Sequence, residues 1–287
     1  MASRNTPGTS SSSLTKDERR EAAREAARKL RIEEAKRAKR NRILAIIASL
    51  VVVALVATAV FVIVNSKSKQ SAILKGADGT PQYAKFTAGE SAFTGSLPAN
   101  VEKNGGISVG ASLTAGSKNE GKPTVDIYFD YLCVHCNDLE AQFGEALTEM
   151  AKEGEITLVY HPVEIMHQAF STHSAAADFF VAQNAPDKYI EFHNKVFSDL
   201  SNPVFKEQAS LPTTEDLIKV AKDVGVNDDV ASRLEKALNS ESLTSLVEQA
   251  SKQFANDGLT GTPAVIVNGR QLLNWNTALA AAIKEAA

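Results

Sequence analysis

The sequence has only two cysteines, one tryptophan and three methionines in 287 residues, and 6% of it is aromatic. Two cysteines cannot staple a disulfide-dependent miniprotein, so both are free for chemistry. With 16 glycines and 44% hydrophobic residues, the chain is too apolar for a disordered polymer and too aqueous for a multi-span membrane protein. No internal repeat is visible. Charge is unevenly placed. Residues 1–42 hold 13 Lys and Arg against 6 Asp and Glu, residues 43–64 hold none, and residues 65–287 hold 18 against 28.

The charge-free run Ile43–Val64 contains 22 residues, enough for a helix of roughly 33 Å, and reads as one transmembrane helix. It is longer than a signal-peptide core and starts after 42 residues, so retention as an anchor is expected. The basic flank Lys36-Arg37-Ala38-Lys39-Arg40-Asn41-Arg42 outweighs Lys67 and Lys69 on the far side. The positive-inside rule then puts the N-terminus in the cytoplasm and the rest outside a plasma membrane. Before the anchor, Thr15 and Glu18 form a capping box for a charged helix from about Lys16 to Asn41. That helix has no interleaved aromatic residues and its charge is diluted by glutamates, so no nucleic-acid partner is expected. Residues 65–103 read as an extracytoplasmic linker, with Tyr83, Phe86 and Phe93 available for local packing.

The remainder reads as α/β. Thr124–Phe129 is a β-branched and aromatic strand, and apolar positions from Leu139 to Met150 recur at helical spacing in a helix running from Cys133 to about Lys152. Ile156–Tyr160 follows as a second strand, which makes a βαβ unit with a parallel pair. An earlier strand is expected near Ile107–Val109. Residues 166–258 read as an inserted helical subdomain broken at Pro186, Asn202-Pro203, Leu211-Pro212, Gly225 and near Ser240. Pro263–Val267 then forms a strand, Asn268-Gly269 a hairpin turn, Gln271–Leu273 its partner, and Asn276 a cap for a terminal helix. The two parts flanking the insertion, 104–165 and 259–287, make one domain.

Both cysteines lie in Cys133-Val134-His135-Cys136, just after a strand and at the start of a helix. The unpaired N–H groups and dipole there favour a thiolate, so Cys133 is the expected nucleophile, with His135 tuning it, and Cys136 the resolving thiol. Half a zinc site is an alternative reading, with His161, His167 and His173 as further ligands, but there is no second cysteine pair and the spacing is unlike common fingers. A purely structural disulfide would close too short a loop to gain much entropy. His167, His173 and His193 read as surface or packed residues, and Trp275 as packing.

Here the sequence resembles the DsbA-like thiol-disulfide oxidoreductases. The resemblance covers roughly residues 105–287 and rests on three stretches: Cys133-Val134-His135-Cys136, Ser174-Ala175-Ala176-Ala177 after His161-Pro162, and Gly261-Thr262-Pro263-Ala264-Val265-Ile266-Val267-Asn268-Gly269. It implies a thioredoxin-like fold with a helical insertion, a cis Thr262–Pro263 bond facing the cysteines, and substrate backbone binding at Thr262. It also implies reduced, unfolded secreted proteins as substrates and a membrane-bound, quinone-linked partner for reoxidation. No cofactor and no metal are expected, and the chain is expected to be a monomer in contact with the lipid bilayer. Two departures stand out. Val134 replaces the usual proline of the motif, and Ile127 stands where relatives often bury an acid six residues before the nucleophile, leaving Asp126 and Asp130 nearby. A disulfide reductase or isomerase and a non-catalytic chaperone-like binding module are the alternative functions.

Overall fold

The structure is a computed structural model and describes residues 77–287. The charged helix at 16–41 and the apolar run at 43–64 lie outside these residues. Among the described residues no helix is long and apolar enough to cross a membrane.

A six-stranded sheet forms the frame, in the order β1-β6-β5-β3-β4-β2. Its strands are β1 (Tyr83–Lys85), β2 (Ile107–Val109), β3 (Thr124–Phe129), β4 (Thr157–Pro162), β5 (Ala264–Val267) and β6 (Arg270–Leu272). β3 runs parallel to β4 in the register Val125–Leu158 to Phe129–Pro162, and antiparallel to β5 with Tyr128 opposite Ala264. β3 and β4 are central and almost wholly buried, which is why both read as continuous apolar runs rather than alternating ones. Asn268 and Gly269 take φ of 49° and 79° and close the β5–β6 hairpin, the left-handed pair that such tight turns require.

Helix α1 (Val134–Leu139) begins directly after β3, continues through a π-helical turn (Glu140–Gly144), and resumes as α2 (Glu145–Lys152). The sequence reads as one unbroken helix here. The bulge occurs where the Glu140 carboxylate lies in the space that a side chain at position 144 would fill, so any larger residue there would have to displace the Glu140 side chain.

Between β4 and β5 lie α3 (Ala169–Asn184), α4 (Tyr189–Lys195), a π-helical turn (Val196–Ser201), α5 (Asn202–Lys206), α6 (Thr214–Asp223), α7 (Asp228–Leu238) and α8 (Glu241–Asn256). α3 is buried on nearly all sides, and its Ala175-Ala176-Ala177 run lets neighbouring helices approach closely. Sequence breaks match local chemistry: Thr213 and Asp216 form a capping box on α6, Asn227 accepts from Asp229 N–H at 2.9 Å on α7, and Ser240 caps α8. The terminal helix α9 (Trp275–Ala286) has Asn274 as its N-cap, two residues before the Asn276 expected from sequence. The Asn274 carbonyl accepts Thr277 and Ala278 N–H at 3.1 and 3.0 Å and so opens the helix, while its side chain, rather than capping, ties it to the segment before β1, accepting from Gln82 N–H at 2.9 Å and donating to Thr80 O at 3.1 Å.

Within the expected linker at 65–103, the described residues 77–103 are corrected: they belong to the fold. Tyr83–Lys85 adds β1 to the sheet edge, with Tyr83 opposite Leu272. Residues 89–94 then form a strap along α8: Gly89, Ala92 and Thr94 donate backbone N–H groups to Asp257 Oδ1 (2.8 Å), Gln253 Oε1 (2.8 Å) and Gln249 Oε1 (2.7 Å). These three acceptors are spaced four residues apart and share one face of the helical turn. A strap held by backbone donors needs no hydrophobic period, so it reads as a spacer in the sequence.

Candidate active site

β3 ends at Phe129 and the chain turns through Asp130, Tyr131 and Leu132 to Cys133, the N-cap of α1 in extended conformation (φ −87°, ψ 118°). The turn is closed by Cys133 N–H donating to Asp130 O at 3.0 Å. Both cysteines are free thiols. Cys133 is 7% exposed and Cys136 1%, so an incoming thiol reaches Cys133 first.

Their acidities diverge. Cys133 is lowered from 9.0 to about 6, chiefly because the Cys136 thiol donates a hydrogen bond to its sulfur; burial opposes this, while the Thr262 side chain and the N–H groups of Cys136 and His135 add to it. Cys136 is pushed well above its ordinary value, first by burial and then by the neighbouring Cys133 sulfur. The Thr262–Pro263 peptide is cis. As a thiol, Cys133 donates to Thr262 O at 3.2 Å. The Thr262 hydroxyl is buried with no hydrogen-bond partner in that state, and it is the donor available to a thiolate. Cys133, Cys136, Thr262 and Pro263 are thus brought together. The motif's two central residues face outward: Val134 is 41% exposed, and the exposed His135 ring lies 3.9 Å from Asp138, which also pairs with Lys206 at 3.2 Å. His161 is elsewhere, stacked on Tyr128 with centroids 4.0 Å apart and bonded to Asp126 at 3.1 Å. Among the described residues no cluster of His, Cys, Asp and Glu is arranged to hold a metal ion.

Two groupings are assembled only by the fold. The first is a buried ionic cluster clasping the motif from behind. His193 on α4 lies 3.5 Å from Glu140, four residues after Cys136, and 3.8 Å from Asp178 on α3. Tyr131, two residues before Cys133, donates to Asp178 Oδ1 at 2.8 Å and lies 3.1 Å from His193 Nδ1. Burial works against a charged His193, but Asp178 and Glu140 outweigh it and raise the imidazole to about 9. Asp178 itself is raised by burial, with His193 and Tyr131 opposing. The available signal was spacing: Tyr189, His193 and Phe197 recur every four residues, which places an ionisable side chain on an apolar stripe. The second is Asp130, a buried carboxylate ringed by donors.

A thioredoxin-like sheet, a helical insertion after β4, and a dithiol of split acidity facing a cis-proline loop define a thiol–disulfide exchange protein. A family model described as Thioredoxin matches residues 109–285. The thiol:disulfide interchange protein DsbA of Salmonella typhimurium is 30% identical over 164 residues, which is 56% of this chain and 73% of that protein. Of solved structures, the thiol-disulfide oxidoreductase MdbA from Actinomyces oris superposes with a TM-score of 0.56 at 27% identity, covering 63% of this chain and 83% of that one. Reduced DsbA from Mycobacterium tuberculosis gives 0.51 at 26%, covering 63% and 91%. The chain belongs to the thioredoxin family as a DsbA-like thiol-disulfide oxidoreductase.

Proposed function

We propose that this oxidoreductase is a membrane-anchored, extracytoplasmic oxidase that donates its Cys133–Cys136 disulfide to reduced secreted proteins. The observation that carries the direction is the split acidity of the pair. A Cys133 thiolate stable at neutral pH lowers the free energy of the reduced form, so the disulfide is the more strongly oxidising for it. The anchor and orientation rest on the charge-free run 43–64 and its basic flank.

In the forward reaction a substrate thiolate attacks Cys133 Sγ of the oxidised protein. The Cys133–Cys136 bond breaks, its electron pair stays on Cys136, and the raised affinity of that buried sulfur for a proton keeps it as a thiol. The substrate's second thiolate then attacks the substrate sulfur of the mixed disulfide and expels Cys133 as a stable thiolate. Two electrons have entered the enzyme; of the substrate's two protons, one rests on Cys136 and the other passes to water at pH 7. Exposed Val134, next to Cys133 in the chain, and exposed Met166, on the loop that leaves β4 at the same end of the sheet, offer apolar surface at the active-site end. A membrane oxidant must then accept the two electrons for another round.

The test is a single-turnover mixture of the oxidised full chain in detergent with a reduced two-cysteine peptide. Disulfide transfer to the peptide is expected, with none from Cys133→Ser. Electron flow the other way, from reduced chain to oxidised peptide at equilibrium, would make a reductase the better reading, and unchanged behaviour of Cys133→Ser would sink both. Protease added outside intact cells is expected to remove residues after about position 70; a protected C-terminal domain would overturn the orientation.

A further inference from the structure

Asp130 is 1% exposed and three residues before Cys133, yet among the described residues no basic side chain pairs with it. Four donors converge on its carboxylate instead. Oδ1 accepts Leu132 N–H at 2.8 Å and the Ser171 hydroxyl at 2.7 Å, and Oδ2 accepts Ile165 N–H at 2.9 Å and Met166 N–H at 3.1 Å. Its own carbonyl accepts Cys133 N–H at 3.0 Å. One residue therefore joins three things: the turn that presents the nucleophile, the first turn of the inserted helix α3, and the 163–168 loop after β4. Because β4 runs parallel to β3, that loop leaves the sheet at the same end as Cys133. It carries the 42% exposed Met166, whose side chain would be free to wander without its anchored backbone.

We infer that Asp130 is a positioning residue for the exchange reaction, fixing the Ile165–Met166 backbone relative to the Cys133 sulfur so that a substrate polypeptide meets a preformed rim beside the thiol. The chemistry requires a carboxylate. An ionised carboxylate is acceptor-only on both oxygens, whereas the almost isosteric asparagine turns one end into a donor and confronts either the Leu132 and Ser171 donors or the two loop N–H groups. Preorganisation of a binding rim acts on the encounter with substrate more than on the sulfur chemistry that follows. This inference rests on the exchange reaction through Cys133, and it predicts how that reaction divides between binding and chemistry.

The test uses the full chain in detergent, a reduced two-cysteine peptide as probe and excess oxidised glutathione, which takes up the two electrons and restores the Cys133–Cys136 disulfide for each turnover. Asp130→Asn is expected to raise KM about tenfold or more, the scale of lost hydrogen bonds to a charged group. The turnover number is expected to change by less than threefold, and the Ile165 and Met166 amides to exchange hydrogen faster than the rest of the sheet. Ser171→Ala, which removes one donor and leaves the carboxylate, is expected to raise KM by about threefold, and it serves if Asp130→Asn does not fold. Thr213→Ala removes a remote helix cap and controls for lost stability, with KM expected to be unchanged. A wild type that oxidises the peptide, with KM unaltered in Asp130→Asn or Ser171→Ala, overturns the inference; so does a KM rise of equal size in Thr213→Ala. A wild type that does not oxidise the peptide at all removes the exchange reading instead.

Discussion

The two faces of β3 carry buried polar networks of opposite character. Val125, Ile127 and Phe129 point into the larger core, where Tyr131, Glu140, His193 and Asp178 form a charged clasp around the cysteine motif. Asp126 and Tyr128 point the other way, as alternation along a strand requires. There Tyr128 donates to Asp257 Oδ2 at 2.8 Å, and the other Asp257 oxygen takes the Gly89 N–H of the strap. The first network sets the His193 imidazole between carboxyl groups on helical segments on either side of the dithiol. The second uses a carboxylate to fasten a segment of chain. A strand six residues long thus separates a redox environment from a structural fastening, and the separation shows which substitutions alter chemistry and which alter only stability.

The sharpest division lies within the motif. Cys133→Ser abolishes disulfide transfer, whereas in Cys136→Ser the Cys133 thiolate attacks the disulfide of an oxidised two-cysteine peptide, expels one peptide thiolate and, with no second enzyme thiol to resolve it, accumulates a mixed disulfide, visible as a reducible adduct on a non-reducing gel. Next in size, His193→Gln strips the cation from two buried carboxylates and costs about 3–5 kcal/mol of unfolding free energy, read by denaturant titration. A loss below about 1 kcal/mol would contradict a charged clasp.

The pH dependence of stability separates the clasp from the dithiol within the first face. His193 is raised to about 9 from 6.5, so its contribution is complete below pH 6.5 and disappears as pH rises through about 9. Cys133 is lowered to about 6 from 9.0, so in the dithiol form its contribution is absent below about pH 6 and complete above 9.0. The oxidised protein lacks the second contribution. Between pH 6.5 and 9 it is expected to lose stability while the reduced protein loses less or gains, and parallel curves for the two forms would contradict the split. Smallest of all, Tyr128→Phe is expected to cost about 1 kcal/mol, leaving the reduction potential unchanged because its hydroxyl faces the strap. A shifted potential would join the two networks.

What the sequence made legible was local and periodic. Cys133 and Cys136 stand at a strand-to-helix junction because the β3 run ends and helical spacing begins there. The Asn268-Gly269 turn and the breaks at Gly225 and Ser240 were equally readable, since each is fixed by the conformational demands of one or two residues. The strap was not, because backbone N–H groups make its contacts with Gln249, Gln253 and Asp257, more than 150 residues away. The clasp was hidden for a similar reason. Glu140, Asp178 and His193 come from three separate helical segments, and nothing along the chain marks them as neighbours. Asp130 was noticed beside the motif, but its four donors arrive from positions 132, 165, 166 and 171 and only the fold assembles them.

The most direct test of the account is the reduction potential of the full chain in detergent, equilibrated against glutathione buffers from pH 5 to 8 with thiol state read by alkylation. The expected potential lies at the oxidising end of the family range, nearer about −120 mV than about −270 mV. Its slope is predicted to fall from about 59 to about 30 mV per pH unit near pH 6, where reduction begins to take up one proton instead of two. A potential near about −270 mV, with the steeper slope persisting to pH 8, would show that Cys133 holds no stabilised thiolate and that the protein is built to reduce disulfides.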